Sequence, residues 1–141
     1  MKPAVVRFYV DADLLGLAKI LAGLNAEITY PGDPGAVVHK RRRPGCDIEP
    51  GAKDVEWLPI VAGQGWLTIT RDARIHQHRA EIDAVLEHGG KLVALAGEDA
   101  DRKWTQLEVV MSQWRAIEKL ADLPGPFLFA AHRTSLRQVA P

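Results

Sequence analysis

The sequence predicts a single-domain α/β fold, a parallel sheet held between helices as an α/β/α sandwich. Three observations carry this. Short β-rich runs alternate with helical patterns from Val5 to Ala131, an order that right-handed crossovers turn into a parallel sheet. A length of 141 residues suits one domain with a real core. Acidic residues also punctuate the predicted element ends: Asp11 and Asp13 after the first strand, Asp54 and Glu56 opening a middle helix, and Asp72 after Ile69-Thr70-Arg71.

Val5 to Val10 is apolar apart from Arg7, and Phe8 and Tyr9 add β propensity, so it reads as a buried strand. Asp13 can cap the next element, a helix from Leu14 to Leu24. Leu14, Leu17, Ala18 and Leu21 recur there at helical spacing with few polar interruptions, which predicts burial on most sides. Glu27 to Tyr30 forms a short second strand, and Pro31-Gly32-Asp33-Pro34-Gly35 breaks the pattern. No element is expected from there until residue 53. This loop-rich insertion, about 31–52, carries His39-Lys40-Arg41-Arg42-Arg43, the densest positive charge in the chain.

A helix is expected from Asp54 to Gly63, with Pro59 just past its first turn removing one backbone bond. Trp66 to Thr70 is the next strand. Arg79 to His88 is a helix ended by Gly89-Gly90, and Lys91 to Ala96 a fourth strand. The acidic loop Glu98-Asp99-Ala100-Asp101 precedes the clearest helix, Lys103 to Ala121. Leu107, Val110, Met111, Trp114, Ile117 and Leu120 are expected on its inner face. Pro124-Gly125-Pro126 stops it, and Phe127 to Ala131 is expected to be the last strand. Trp57, Trp66, Trp104 and Trp114 read as core or helix-interface residues.

Composition narrows the function. Hydrophobic residues at 47% and charged residues at 26% are ordinary for a soluble globular chain. A formal net charge of zero argues against a strongly basic nucleic-acid coat. It leaves room for a local basic groove, because acidic site residues can cancel basic ones in the sum. Cys46 is the only cysteine, so there is no intrachain disulfide or Cys-based zinc cluster, and the thiol is expected to be inert. No apolar run approaches the ~18 residues of a membrane span. Without a signal-peptide pattern at the N-terminus, the cytoplasm is the expected location.

The acidic residues suggest the chemistry. Parallel strands deliver the residues just past their carboxyl ends to one edge of the sheet, where carboxylates that meet must bind a cation or hold a proton. Each acid alone has an ordinary alternative. Asp11 or Asp13 can be an N-cap, Asp54 a cap with Glu56 as a dipole-favoured first-turn acid, and Asp72 the cap of a short helical turn. Their joint placement is what points to a divalent metal, Mg2+ or Mn2+, and to metal-assisted hydrolysis of a phosphodiester. Arg71, Arg74 and Arg79 could then hold flanking phosphates. Lys40, Arg41, Arg42 and Arg43 could contact an RNA backbone, pair with a partner's acids or keep a loop solvated. His76, His78 and His88 lack a zinc spacing with the carboxylates.

Three segments together resemble the PIN-like domains, especially the short VapC-type toxins of bacterial toxin–antitoxin pairs. They are Phe8-Tyr9-Val10-Asp11-Ala12-Asp13-Leu14, Asp54-Val55-Glu56-Trp57-Leu58 and Gly65-Trp66-Leu67-Thr68-Ile69-Thr70-Arg71-Asp72. The resemblance implies that Asp11, Asp54 and Asp72 hold Mg2+ or Mn2+, with Thr70 supporting the site by hydrogen bonding. It also implies a ribonuclease, a cognate antitoxin that blocks the site, and often a homodimer. Glu56 competes with Asp54 for the second acidic position. No further aspartate comes soon after Asp72, leaving Asp13 as the substitute.

Two other readings stand beside it. A haloacid-dehalogenase-type phosphohydrolase would use Asp11 as nucleophile and Asp13 as acid/base, but no strand ending in paired aspartates appears downstream. A non-catalytic PIN-like module would bind RNA or protein without cleaving. A receiver domain lacks its lysine after Phe127–Ala131, and a dinucleotide-binding fold its glycine fingerprint after the first strand.

Overall fold

A computed structural model describes residues 2–71, 79–97 and 100–140. In chain order the elements begin with β1 (Lys2–Pro3), β2 (Phe8–Val10) and a 3-10 turn, Ala12–Leu14, that runs into α1 (Leu15–Leu24). Next come β3 (Ile28–Thr29), β4 (Ala36–Val38), β5 (Arg41–Arg43), α2 (Asp54–Gln64) and β6 (Leu67–Thr70). The rest is α3 (Arg79–His88), β7 (Lys91–Leu95), α4 (Lys103–Ala121), β8 (Phe127–Ala131) and β9 (Leu136–Ala140).

The main sheet has six strands in the order β3-β2-β6-β7-β8-β9. It is parallel from β3 through β8, as the βα alternation predicts. The sequence reading ended the sheet at β8, whereas β9 adds an antiparallel edge. Period-two alternation along the strands builds the two faces. Phe8, Val10, Leu67, Ile69, Val93 and Leu95 pack with α1 and α4 residues such as Leu17, Val110 and Ile117. Tyr9, Leu92, Ala94 and Leu128 point to the opposite face, against Trp57, Leu58 and Val61 of α2 and Val85 of α3. The sandwich is therefore built from near-continuous apolar strands, as parallel sheets require.

Helix faces depart from the sequence reading in detail. In α1 only Leu17, Ala18, Leu21 and Ala22 are buried, while Ile20 and Leu24 are exposed, so the helix is covered on one side. In α4 the inner stripe is Gln106, Val109, Val110, Ile117 and Leu120, with Leu107 and Trp114 packed at its border. Met111 and Trp104, expected inside, are exposed at 63% and 75%. Trp57 is buried, as expected.

The insertion is ordered into a second, three-stranded sheet, β1-β5-β4, with β1 parallel and β4 antiparallel to β5. Val38 pairs with Arg41. The hairpin therefore closes on two residues, His39 and Lys40, with φ of 50° and 63°. A two-residue turn with both φ positive matches the strands' twist, and it usually carries asparagine and glycine. Neither is present, so the hairpin left no turn signal in the sequence.

One buried ion pair ties this hairpin down. Arg43 Nε donates to Asp33 Oδ2 at 2.6 Å and its Nη2 to Asp33 Oδ1 at 3.1 Å. Its Nη1 donates to the Ala22 carbonyl at 2.8 Å, and the Thr29 hydroxyl donates to Asp33 at 2.8 Å. Arg43 and Asp33 are 3% and 0% exposed at the side chain. Arg43, expected among the RNA contacts, is thus a fastener between hairpin, α1 and β3.

Candidate functional site

Strand order reverses beside β2. The chain leaves β2 through α1 to reach β3 on one side, then returns through α2 to β6 on the other. Open α/β sheets hold their crevice at such a switch point, outside the carboxyl ends of the strands. Asp11 comes directly after β2, and its amide donates to the Ile69 carbonyl of β6 at 2.9 Å, extending the ladder by one residue. That register sets Asp11 against Thr70, the last residue of β6.

The Thr70 hydroxyl lies 3.1 Å from Asp11 Oδ2 and 3.1 Å from Asp13 Oδ2, and the Arg71 amide donates to Asp13 Oδ2 at 3.1 Å. Asp11 Oδ1 also accepts from the Ala12 amide at 2.6 Å, capping the 3-10 turn. The expectation that Asp13 caps the following helix is corrected: Leu14 holds the N-cap position of α1 without a side-chain bond, Asp11 caps only the 3-10 turn, and Asp13 reaches across to β6 instead. Asp54 is not a cap either, since Lys53 holds the N-cap position of α2 without a side-chain bond. Asp54 Oδ1 accepts from the Trp57 indole N–H at 3.1 Å.

These carboxylates act on one another. Burial first, then the Asp13 charge, pushes the Asp11 carboxyl up to about 7, with a smaller push from Asp54 and opposing hydrogen bonds from Ala12 and Thr70. A hydroxyl carries one proton and can donate to only one of two carboxylates. Burial and then Asp11 also push up the Tyr9 phenol, which lies on the strand beneath. Glu56 is exposed and does not figure among the charges acting on Asp11.

Of the expected site residues, Asp11, Asp13, Thr70 and Arg71 come together, with Asp54 close enough to act on Asp11. Asp72 and Arg74 lie outside the described residues, as does the side chain of Arg79. Among the described residues no three histidine, cysteine or acidic side chains form a complete metal cage. The donors present are hard carboxylate oxygens under mutual repulsion, a set that suits Mg2+ or Mn2+. Cys46 is half-buried, and burial pushes its thiol up, in keeping with an inert side chain.

The basic run sits elsewhere. Arg41 pairs at 3.5 Å with Glu27, the residue before β3, and the Arg42 carbonyl accepts from Ala4, upstream of β2. Lys40 and Arg42 are exposed at this amino-terminal end of the strands, opposite the acids. Sequence reasoning missed three neighbours of the site: Tyr9, Trp57 and Asp101. Asp101 takes the Arg71 guanidinium at 3.3 Å. Only Trp57 left a signal, its spacing of three from Asp54 on one helix face.

Comparison with known proteins bears on the family of the fold. The family model described as "PIN like domain" matches residues 6–97, which hold Asp11, Asp13, Asp54 and Thr70. A Mycobacterium tuberculosis (strain ATCC 25618 / H37Rv) protein named "Putative ribonuclease VapC45" is 28% identical over 86 residues. The match covers 61% of this chain and 62% of that protein, so the chain spans under two thirds of its relative's length. No solved structure matches. With the family model covering well over half of its length, this chain belongs to the PIN-like domain family.

Proposed function

We propose that this chain is a divalent-metal-dependent endoribonuclease, the toxin of a toxin–antitoxin pair acting in the cytoplasm. One observation carries the reading: the Thr70 hydroxyl joins Asp11 and Asp13 at the carboxyl end of β2 and β6, with Asp54 acting on Asp11. The name of the mycobacterial relative supports the choice of RNA.

Asp11, Asp54 and Asp72 would hold the cation, with Asp13 as the fourth acid and Glu56 as the alternative on α2. Bound Mg2+ or Mn2+ would lower the pKa of water and neutralise charge developing on the phosphate. The chain's own residues prepare that site. Thr70 fixes the Asp11 and Asp13 oxygens relative to one another. A cation held there would favour the ionised form of Asp11, whose carboxyl is pushed up by burial first and by the Asp13 charge second. Arg71, exposed beside the cluster, would exchange Asp101 for a flanking phosphate, and Arg74 and Arg79 are the further candidates for phosphate contact. Lys40, Arg41 and Arg42 would meet only a longer RNA that reaches the far end of the sheet.

An antitoxin and a second copy of the chain are the proposed protein partners. A cavity of about 200 Å³ between α1 and α4, lined by Leu21, Leu24, Val110, Met111 and Trp114, offers an apolar surface for one of them. Among the described residues no helix is long and apolar enough to cross a membrane.

The test is cleavage of a mixed structured and unstructured RNA pool with Mn2+ or Mg2+, with and without EDTA. Metal-dependent cutting by the wild type, lost in both Asp11→Asn and Asp72→Asn, is the expected result. Binding without cutting would favour a non-catalytic module. Neither binding nor cutting would send the protein to a phosphatase screen.

A further inference from the structure

We propose that Trp57 is a positioning residue for the metal site: its indole N–H holds one Asp54 oxygen and leaves the second for a cation. This deepens the metal-site reading above and rests on it. Trp57 lies one helical turn beyond Asp54 in α2, and the Nε1–Oδ1 distance is 3.1 Å. Residues three apart share a helix face, so the pair meets without distortion.

The indole is itself fixed. Trp57 is 5% exposed, and its ring lies 5.4 Å from Tyr9, which stacks on Trp66 at 6.4 Å and 14°. Tyr9 stands two residues before Asp11 on β2. One strand therefore registers both the indole that aims Asp54 and the acid with which Asp54 must cooperate. Asp54 does not cap the helix, since Lys53 holds the N-cap position, although its charge suits the dipole of the first turn. A half-buried aspartate in a first turn, held by no such bond, would sample other rotamers and deliver its second oxygen only part of the time.

A buried indole N–H also needs an acceptor for its own sake, so Trp57 could serve the core alone. Trp57→Phe separates the two roles by keeping a ring against Tyr9 and removing only the donor. Mn2+ affinity is measured by isothermal titration calorimetry on the full chain for wild type, Trp57→Phe, Asp54→Ala and the double variant. Loss of an outer partner of a metal ligand costs roughly 10-fold or more in affinity. Trp57→Phe is expected to weaken Mn2+ binding by about that factor, and to have almost no effect in the Asp54→Ala background. At saturating Mn2+ its RNA cleavage rate should return close to wild type.

Unchanged Mn2+ affinity in Trp57→Phe, or the same loss with and without Asp54, would overturn the proposal. A second measurement needs neither metal nor a change at Trp57: the Trp57 indole proton resonance in the metal-free protein. It should move when Asp54 becomes alanine, which removes the acceptor, and a resonance that stays put would remove the hydrogen bond itself. Absence of any Mn2+ binding by the wild type would overturn the metal-site reading and this role with it. A resonance that still moved would then show that the hydrogen bond is real and that the metal reading is what failed.

Discussion

Thr70 and Asp11 stand 3.1 Å apart across the β2–β6 ladder, although 59 positions separate them in the chain. The hydroxyl has one proton and two carboxylate neighbours, so it holds both oxygens while donating to one of them at a time. Thr70→Val keeps the shape and removes this link. RNA cleavage is expected to fall about 10- to 100-fold, by analogy with other outer-sphere partners of metal ligands. The circular dichroism spectrum should be unchanged. Wild-type rates from this variant would show that the hydroxyl is not part of the machinery.

The Asp11 carboxyl, lifted from an ordinary 3.8 to about 7 chiefly by burial, makes stability depend on pH. Its folded pKa exceeds its unfolded one, so the folded state binds the proton more tightly. The resulting stabilisation is complete below the unfolded value and is lost as pH rises through the folded value. Without divalent metal, the melting temperature should therefore fall between about pH 4 and about pH 7, net of other groups. Asp11→Asn should flatten that segment. Mn2+ affinity should move the other way, rising with pH until Asp11 is fully ionised. Calorimetry with EDTA, repeated with Mn2+, reads both slopes.

Arg43 and Asp33 form the most enclosed ion pair among the described residues, with neither side chain more than 3% exposed. Removing one member strands the other charge in a low-dielectric site, which costs roughly 3–5 kcal/mol. Arg43→Ala should show that loss in urea unfolding. By contrast Arg42→Ala, on the same strand but exposed, should change stability by less than about 0.5 kcal/mol. A comparable loss at both positions would mean that the pair is not what fastens the hairpin.

The hairpin turn holds His39 and Lys40 in left-handed conformations that cost L-residues roughly 1–2 kcal/mol each. Replacing them with Asn-Gly, the pair this turn prefers, should raise stability by about 1 kcal/mol. A lower melting temperature in the double variant would show that the side chains make compensating contacts.

What the sequence revealed depended on whether the signal was local. The helix Lys103–Ala121 and the strand Phe127–Ala131 match the expected bounds, because periodicity and flanking prolines act within one segment. The β4–β5 hairpin was invisible because His39-Lys40 carries none of the usual turn residues. β9 was invisible because Leu136–Ala140 alternates weakly and leans on β8 for its pairing. At the site, the strand-end position of Asp11 could be read from spacing. The exchange of capping roles between Asp11 and Asp13 could not, since it depends on where Thr70 lands across the sheet. Arg43 shows the same limit: a run of basic residues reads as solvated charge until a buried acid is found for one of them.

The exposed tip of the hairpin lies at the amino-terminal end of the strands, and the acids at the carboxyl end. The acidic cluster and the basic hairpin tip thus occupy opposite poles of the sheet. The tip could be rewritten, lengthened or recharged to suit another RNA or another protein with no atom of the acidic cluster displaced. Under the proposed nuclease function, such changes at the tip would leave the cutting chemistry itself untouched.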